Sequence, residues 1–154
     1  MNFFSKKRPL ISVIVVFYNM QREAARTLFS LSPSYQKPAA DNYEVIVVEN
    51  GSSERLEGKE VRRLGANFRY FYFEAKTPSP AEAINFGVSK ARGEMVGICI
   101  DGARILTPGI LDYVIREIKL IEIHSLQHLA GIWGQMFNQN LHLMDMTKRR
   151  RMNC

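Results

Sequence analysis

The stretch Ile11-Ser12-Val13-Ile14-Val15-Val16-Phe17-Tyr18-Asn19 decides the fold. Its first seven residues are rich in Val and Ile, and the run stops at Tyr18 and Asn19. A strand wetted on one face alternates apolar and polar residues, whereas a strand covered on both faces does not. The run therefore reads as a central strand of a parallel sheet. Working outward, Gln21 to Leu31 sets Ala24, Ala25, Leu28 and Leu31 at helical spacing. Ser32 to Asp41 holds two prolines and reads as a loop. Tyr43 to Val48 is a second apolar run, broken by the polar turn Glu49-Asn50-Gly51-Ser52-Ser53-Glu54. Gly58 to Leu64 predicts a short helix, Phe68 to Phe73 a third strand and Thr77 to Pro80 a loop. Ala81 to Ala91 predicts a helix with Ala83, Ile84, Val88 and Ala91 on one face, closed by a left-handed Gly93. Met95 to Ile100 is a fourth strand that ends at Asp101, and Thr107-Pro108 opens a helix through Lys119.

Strands alternating with helices define the α/β class: a mostly parallel sheet flanked by helices. Such sheets bind ligands at the carboxyl ends of their strands. That edge collects Tyr18 and Asn19, Glu49 and Asn50, Asp101 and Arg104. Asn85 and Arg92 are lesser candidates, Arg92 because a guanidinium there would approach a phosphate.

Composition narrows the function classes. At 154 residues, 46% hydrophobic and 23% charged, the chain has one domain's length and a globular balance. Its net charge of +6 favours anionic partners. Lys6, Lys7 and Arg8 near the start and Lys148, Arg149, Arg150 and Arg151 near the end supply that excess. Without them the chain is nearly neutral, so nucleic acid is not the expected partner. The same basic ends allow peripheral contact with an anionic membrane surface. Cys99 lies in an apolar run and Cys154 is the last residue, which argues against a disulfide. His124 and His128 have the spacing of two ligands on a helix, but no third ligand accompanies them. Lys6 to Tyr18 has the charged and apolar parts of a signal peptide; its short run, Pro9 and early polar stop make a buried strand the better reading. No stretch approaches the roughly 20 apolar residues of a membrane span. A cytoplasmic location follows as the expectation.

Four segments resemble family 2 glycosyltransferases, which have the Rossmann-like GT-A fold. They are Ile11–Asn19, Tyr43–Glu54, Ala81–Glu94 and the stretch from Asp101 to Pro108, and their order covers about residues 10 to 118. The resemblance implies a nucleotide-diphosphate sugar as donor and a hydroxyl acceptor, saccharide or lipid-linked, in polysaccharide synthesis. It implies a base-binding role for Glu49, with Tyr18 packing on the base, Asn19 fixing the turn and an inverting outcome. It also implies a divalent metal, magnesium or manganese, at Asp101. The motif here reads Asp101-Gly102-Ala103-Arg104, and Ala103 cannot ligate. A guanidinium can offset diphosphate charge through bidentate bonds. The expectation is that Asp101 contacts the ribose or a weakly held metal, while Arg104 stabilises the departing diphosphate.

The resulting organisation is a basic lead-in over 1–9, a GT-A nucleotide-sugar-binding domain over 10–119 and an unmatched tail over 120–154. The GT-A fold is then incomplete at the carboxyl terminus. A general base for the acceptor hydroxyl is usually an Asp or Glu, and Ile121 to Cys154 offers only Glu122 and Asp145. The tail reads either as an amphipathic helical end or as a shifted frame, since one codon choice for Met144–Cys154 read two bases on encodes acidic text. Two alternatives to an active transferase are a truncated, inactive nucleotide-binding remnant and a basic module that binds nucleic acid.

Overall fold

A computed structural model of the chain describes residues 8–38, 40–75, 77, 79–100 and 104–121. The expectations for Asp101, Ala103 and 122–154, and the basic residues Lys6 and Lys7, lie outside them. The chain divides into two compact units, Met1–Ile115 and Arg116–Cys154.

Four strands build one parallel sheet: β1 (Ile11–Phe17), β2 (Tyr43–Asn50), β3 (Phe68–Phe73) and β4 (Met95–Ile100). Their order is β3-β2-β1-β4. The direction of the order therefore reverses between β1 and β4, and a crevice opens at such a reversal on the carboxyl side of a parallel sheet. The helices are α1 (Gln21–Ser30), α2 (Pro33–Gln36), α3 (Gly58–Arg63) and α4 (Ala81–Lys90), and residues 110–121 are also helical.

Every residue of β1 and β2 is buried. Ile14, Val16, Ile46 and Val48 form one core with Ala83 of α4, and Phe71, Phe73 and Phe86 pack against it. Gly87 lies over Ile14 so closely that a Cβ would come within 2.6 Å of its Cγ2. The buried face of α4 is thus Ala83 and Gly87, and Val88, expected inside, is exposed. The alternate residues Val13, Val15, Val45 and Val47 are equally buried, so both faces of the central pair are covered. β4 differs: Met95, Val96 and Ile98 are exposed.

The segment after Leu31 contains the helix α2 where a loop was expected. Pro33 stands at its start, where the missing N–H and the fixed φ suit a first helical turn. Its last residue, Gln36, is fully buried and fully used. Its amide nitrogen donates to the Ser30 and Thr107 carbonyls, and its amide oxygen accepts from Leu111 N–H. That one side chain fixes the end of α1 and the start of the last helix, which begins at 110 rather than 107.

Gly93 has another role than the expected left-handed cap. Gly51 and Gly109 are the described glycines with positive φ. A Cβ on Gly93 would lie 2.6 Å from Ser12 N and 2.7 Å from Ile11 C. Close approach of the α4–β4 turn to β1, not helix termination, requires glycine there.

Candidate functional site

At the carboxyl edge, β2 runs two residues further than its apolar pattern, so Glu49 and Asn50 end a strand instead of starting a turn. Both are 1% exposed. A buried carboxylate needs donors, and the turn beyond it supplies them. Ser52 Oγ donates to Glu49 Oε1, and Leu56 N–H donates to Oε2 at 3.2 Å. Ser52 Oγ in turn accepts from Asn19 N–H at 2.8 Å. Asn19 closes the circuit: its Oδ1 accepts from Ser53 N–H at 2.9 Å and Ser53 Oγ at 3.0 Å. Asn19 sits at φ 51°, a left-handed conformation that Asn tolerates better than most residues. Burial first, and the Glu49 carboxylate second, raise the Tyr70 phenol above its ordinary pKa.

Tyr18 leaves this circuit open to solvent; its side chain is 44% exposed, so it is not core packing. Asn50 Nδ2 donates to the Ser79 carbonyl at 3.3 Å, while its buried Oδ1 has no hydrogen-bond partner among the described residues. A cavity of about 380 Å³ opens beside the circuit and is lined by Asn19, Gln21, Arg22, Glu23, Ser53 and Glu54. Arg55, in the same turn, stacks its guanidinium 3.6 Å over the Tyr72 ring.

Arg92 is not at this edge. Its backbone N–H donates to Glu44 Oε1 and Ser12 Oγ. Those are the second residues of β2 and β1, at the amino ends of the strands. Five residues of strand, about 16 Å, separate Ser12 from Phe17. The expected approach of Arg92 to a phosphate at the carboxyl edge is therefore corrected; topology, not charge, places it. Asn85 is exposed on α4, half a turn away from the buried Ala83 and Gly87. No hydrogen bond among the described residues joins it to the circuit. Arg104 is exposed on the path that leads back from β4. Two residues later Leu106 N–H donates to Ser30 Oγ at the far end of α1. Arg104 makes no hydrogen bond or ion pair with Asn19, Glu49 or Asn50 among the described residues.

Ser52 and Ser53 stood inside the quoted motif without an assigned role, although a carboxylate three residues before a serine pair is a signal for such a turn. Ser12 and Glu44 were passed over as members of apolar runs. Glu44 is buried and accepts from Ser12 Oγ at 2.7 Å, Arg92 N–H at 2.7 Å and Arg69 Nη1 at 2.8 Å. A charge inside an apolar run was the signal for that partner.

The described residues contain no group of three or more His, Cys, Asp or Glu able to hold a metal, so the divalent ion implied by the resemblance has no described ligand set here. No described helix is long and apolar enough to cross a membrane.

A parallel α/β sheet flanked by helices, with an ordered polar circuit, a cavity and an exposed aromatic ring at its carboxyl edge, defines a Rossmann-like class of fold. Residues 12–119 match the glycosyl transferase family 2, and the chain belongs to that family. Among solved structures it resembles TarS 1-349 of S. aureus, at 25% identity and a TM-score of 0.63, over 71% of this chain and 32% of that one. The same protein solved in complex with UDP-GlcNAc matches with a TM-score of 0.63 and 25% identity, over 71% of this chain and 31% of that one. The fold also resembles the mannosyltransferase PcManGT from Pyrobaculum calidifontis, solved with GDP-Man and Mn2+. There the identity is 24% and the TM-score 0.56, over 73% of this chain and 32% of that chain. The chain thus spans about a third of the length of these structures. None of the curated proteins matches it.

Proposed function

We propose that the carboxyl edge of this sheet binds a nucleotide-diphosphate sugar, as the donor half of a transferase that passes the sugar to a hydroxyl acceptor. The observation that carries this reading is the family match over residues 12–119, which includes the whole Asn19–Glu49–Ser52–Ser53 circuit. The solved relatives named with UDP-GlcNAc and with GDP-Man support the donor class. In this reading the exposed Tyr18 ring covers the base. Glu49 and Asn19 frame the base from below by holding the 52–56 turn. Base contact by Glu49, implied by the family resemblance, requires that turn to lift, because both carboxylate oxygens already face it. Asp101 and Arg104 take the ribose and the diphosphate, the guanidinium offsetting the charge of the leaving group. A divalent ion, when bound, would neutralise the same diphosphate. The acceptor, a saccharide or lipid-linked hydroxyl in polysaccharide synthesis, and peripheral membrane contact by the basic ends belong to the same proposal.

A thermal-shift panel of UDP-, GDP- and dTDP-sugars, with and without magnesium or manganese, tests it. One base should stabilise the protein by about 2.7 kcal/mol at a hundredfold excess over Kd. Stabilisation by none of them contradicts the reading. Equal stabilisation in EDTA supports the guanidinium; a strict metal requirement removes it. Donor binding without transfer defines the inactive alternative. Affinity for nucleic acid that falls steeply with salt, with no base selectivity among the sugars, defines the other.

A further inference from the structure

Arg55 is held at the carboxyl edge by contacts of its side chain and of its turn. Its guanidinium carbon lies 3.6 Å from the centre of the Tyr72 ring, and Tyr72 is the β3 residue in register with Glu49 of β2. Gln21 Nε2 donates to the Arg55 carbonyl at 3.4 Å, and the N–H of Leu56 donates to Glu49 Oε2 at 3.2 Å. The turn packs back on β3 at Gly58, where a Cβ would come within 2.8 Å of Tyr70 Cδ1. Burial and then the Glu49 carboxylate raise the pKa of the Tyr70 phenol, and the Arg55 guanidinium opposes them, so the acid and the cation share one neighbour. Arg55 itself is exposed, and its guanidinium makes no hydrogen bond or ion pair among the described residues. Stacking occupies one face of a guanidinium and leaves its in-plane N–H fork free.

The sheet order gives that fork its place along the ligand. The order β3-β2-β1-β4 sets the ends of β3 and β4 three interstrand spacings apart, about 14 Å. Asp101 and Arg104, the proposed ribose and diphosphate residues, follow β4 in the chain, and Tyr18 follows β1, between the two ends. A nucleotide laid across this edge with its diphosphate towards β4 carries its base towards β3, over Tyr18 and up to Arg55. The fork supplies donors only. It fits a base edge with two neighbouring acceptors, which guanine offers at O6 and N7. Uracil and thymine separate O4 from O2 by the N3–H donor, and adenine sets its amino group beside N7. Cytosine pairs N3 with O2, but O2 adjoins the glycosidic bond and faces the ribose rather than the far end of the base.

We propose that Arg55 reads the base of the donor and selects guanine, through paired bonds from its stacked fork to O6 and N7. The inference rests on the donor reading and adds to it a residue and a base. Lysine could not replace this arginine, because a point charge has no planar fork with which to engage both acceptors.

Calorimetric titration of the full chain with GDP, UDP, CDP and 7-deaza-GDP tests the proposal. GDP should bind at least about tenfold more tightly than UDP or CDP, and 7-deaza-GDP, which lacks the N7 acceptor, about tenfold more weakly than GDP. Arg55→Lys keeps an exposed cation and should leave the melting temperature unchanged. It should bring GDP and 7-deaza-GDP to equal affinity, a readout that a merely structural role for Arg55 would not move. Tighter binding of UDP or CDP than of GDP, equal binding of GDP and 7-deaza-GDP by the parent, or a GDP preference that survives Arg55→Lys overturns this inference and leaves the donor reading standing. Binding of none of the four overturns the donor reading itself, and this inference with it.

Discussion

The two edges of one sheet use buried carboxylates in opposite ways. At the amino edge Glu44 faces a full guanidinium, a hydroxyl and a backbone N–H, drawn from β1, β3 and the α4–β4 turn. At the carboxyl edge Glu49 makes no ion pair among the described residues; it accepts from Ser52 and Leu56 of its own turn. The first arrangement ties together elements distant in sequence and serves the fold. The second shapes a loop that a ligand can meet. A buried acid is thus a poor functional signal by itself. What its donors belong to, the frame or a loop, separates the two.

Substitutions should resolve that difference. Glu44→Ala strands the half-buried Arg69 guanidinium and should destabilise by about 3–5 kcal/mol, read from urea denaturation. Nucleotide-sugar affinity of the folded fraction should not change. Loss of affinity at unchanged stability would erase the distinction between the edges. Glu49→Ala removes acceptors from one hydroxyl and one N–H and should lower stability by about 1–3 kcal/mol. Its affinity should fall as well, which calorimetry with the sugar chosen by the thermal-shift panel measures. Asn19→Gly sharpens the account of the turn: glycine adopts φ 51° freely but loses the Ser53 bonds. Stability should fall by about 1 kcal/mol, and less than in Asn19→Ala, which has neither advantage. Tyr18→Ala should move stability by no more than about 0.5 kcal/mol, as for an exposed residue. It should still weaken nucleotide binding about tenfold if the ring stacks on the base.

One further effect is absent at neutral pH. Burial, partly offset by the Asn67 amide, pushes Tyr43 up to about 12. Its hydroxyl donates to the Leu31 carbonyl, so the neutral form is the native one. The folded chain holds this proton where the unfolded chain has released it, so stability should fall as pH rises from about 10 to about 12. Tyr43→Phe should flatten that decline in a pH series of melting temperatures.

Much of the frame was legible because burial on both faces leaves a plain mark. Val13–Phe17 and Val45–Val48 are unbroken apolar runs, and strand alternation with helices followed. The errors have separate physical causes. The pattern stopped at Val48 because an apolar rule cannot anticipate a carboxylate satisfied by Ser52 and Leu56. Pro33 read as a breaker, whereas at the first position of α2 it is an initiator. Gly93 read as a left-handed cap, but contact with the β1 backbone, which no local rule sees, is what excludes a side chain. Arg92 was assigned by charge to an edge that the chain direction of β4 denies it. At the site, Asn19 and Glu49 were found by their place after strands. Their link through Ser52 needed the parallel pairing of β1 and β2.

The central claim is that the carboxyl edge, not the amino edge, receives the nucleotide sugar. Amide chemical-shift mapping of the full chain during titration with UDP- and GDP-sugars tests it most directly. The account predicts saturable shifts at Tyr18, Asn19, Ser52, Ser53 and Leu56 for one base, with Asn67 and Arg69 unmoved. Shifts concentrated at Asn67, Arg69 and Arg92, or none at the carboxyl edge with either sugar, would contradict it.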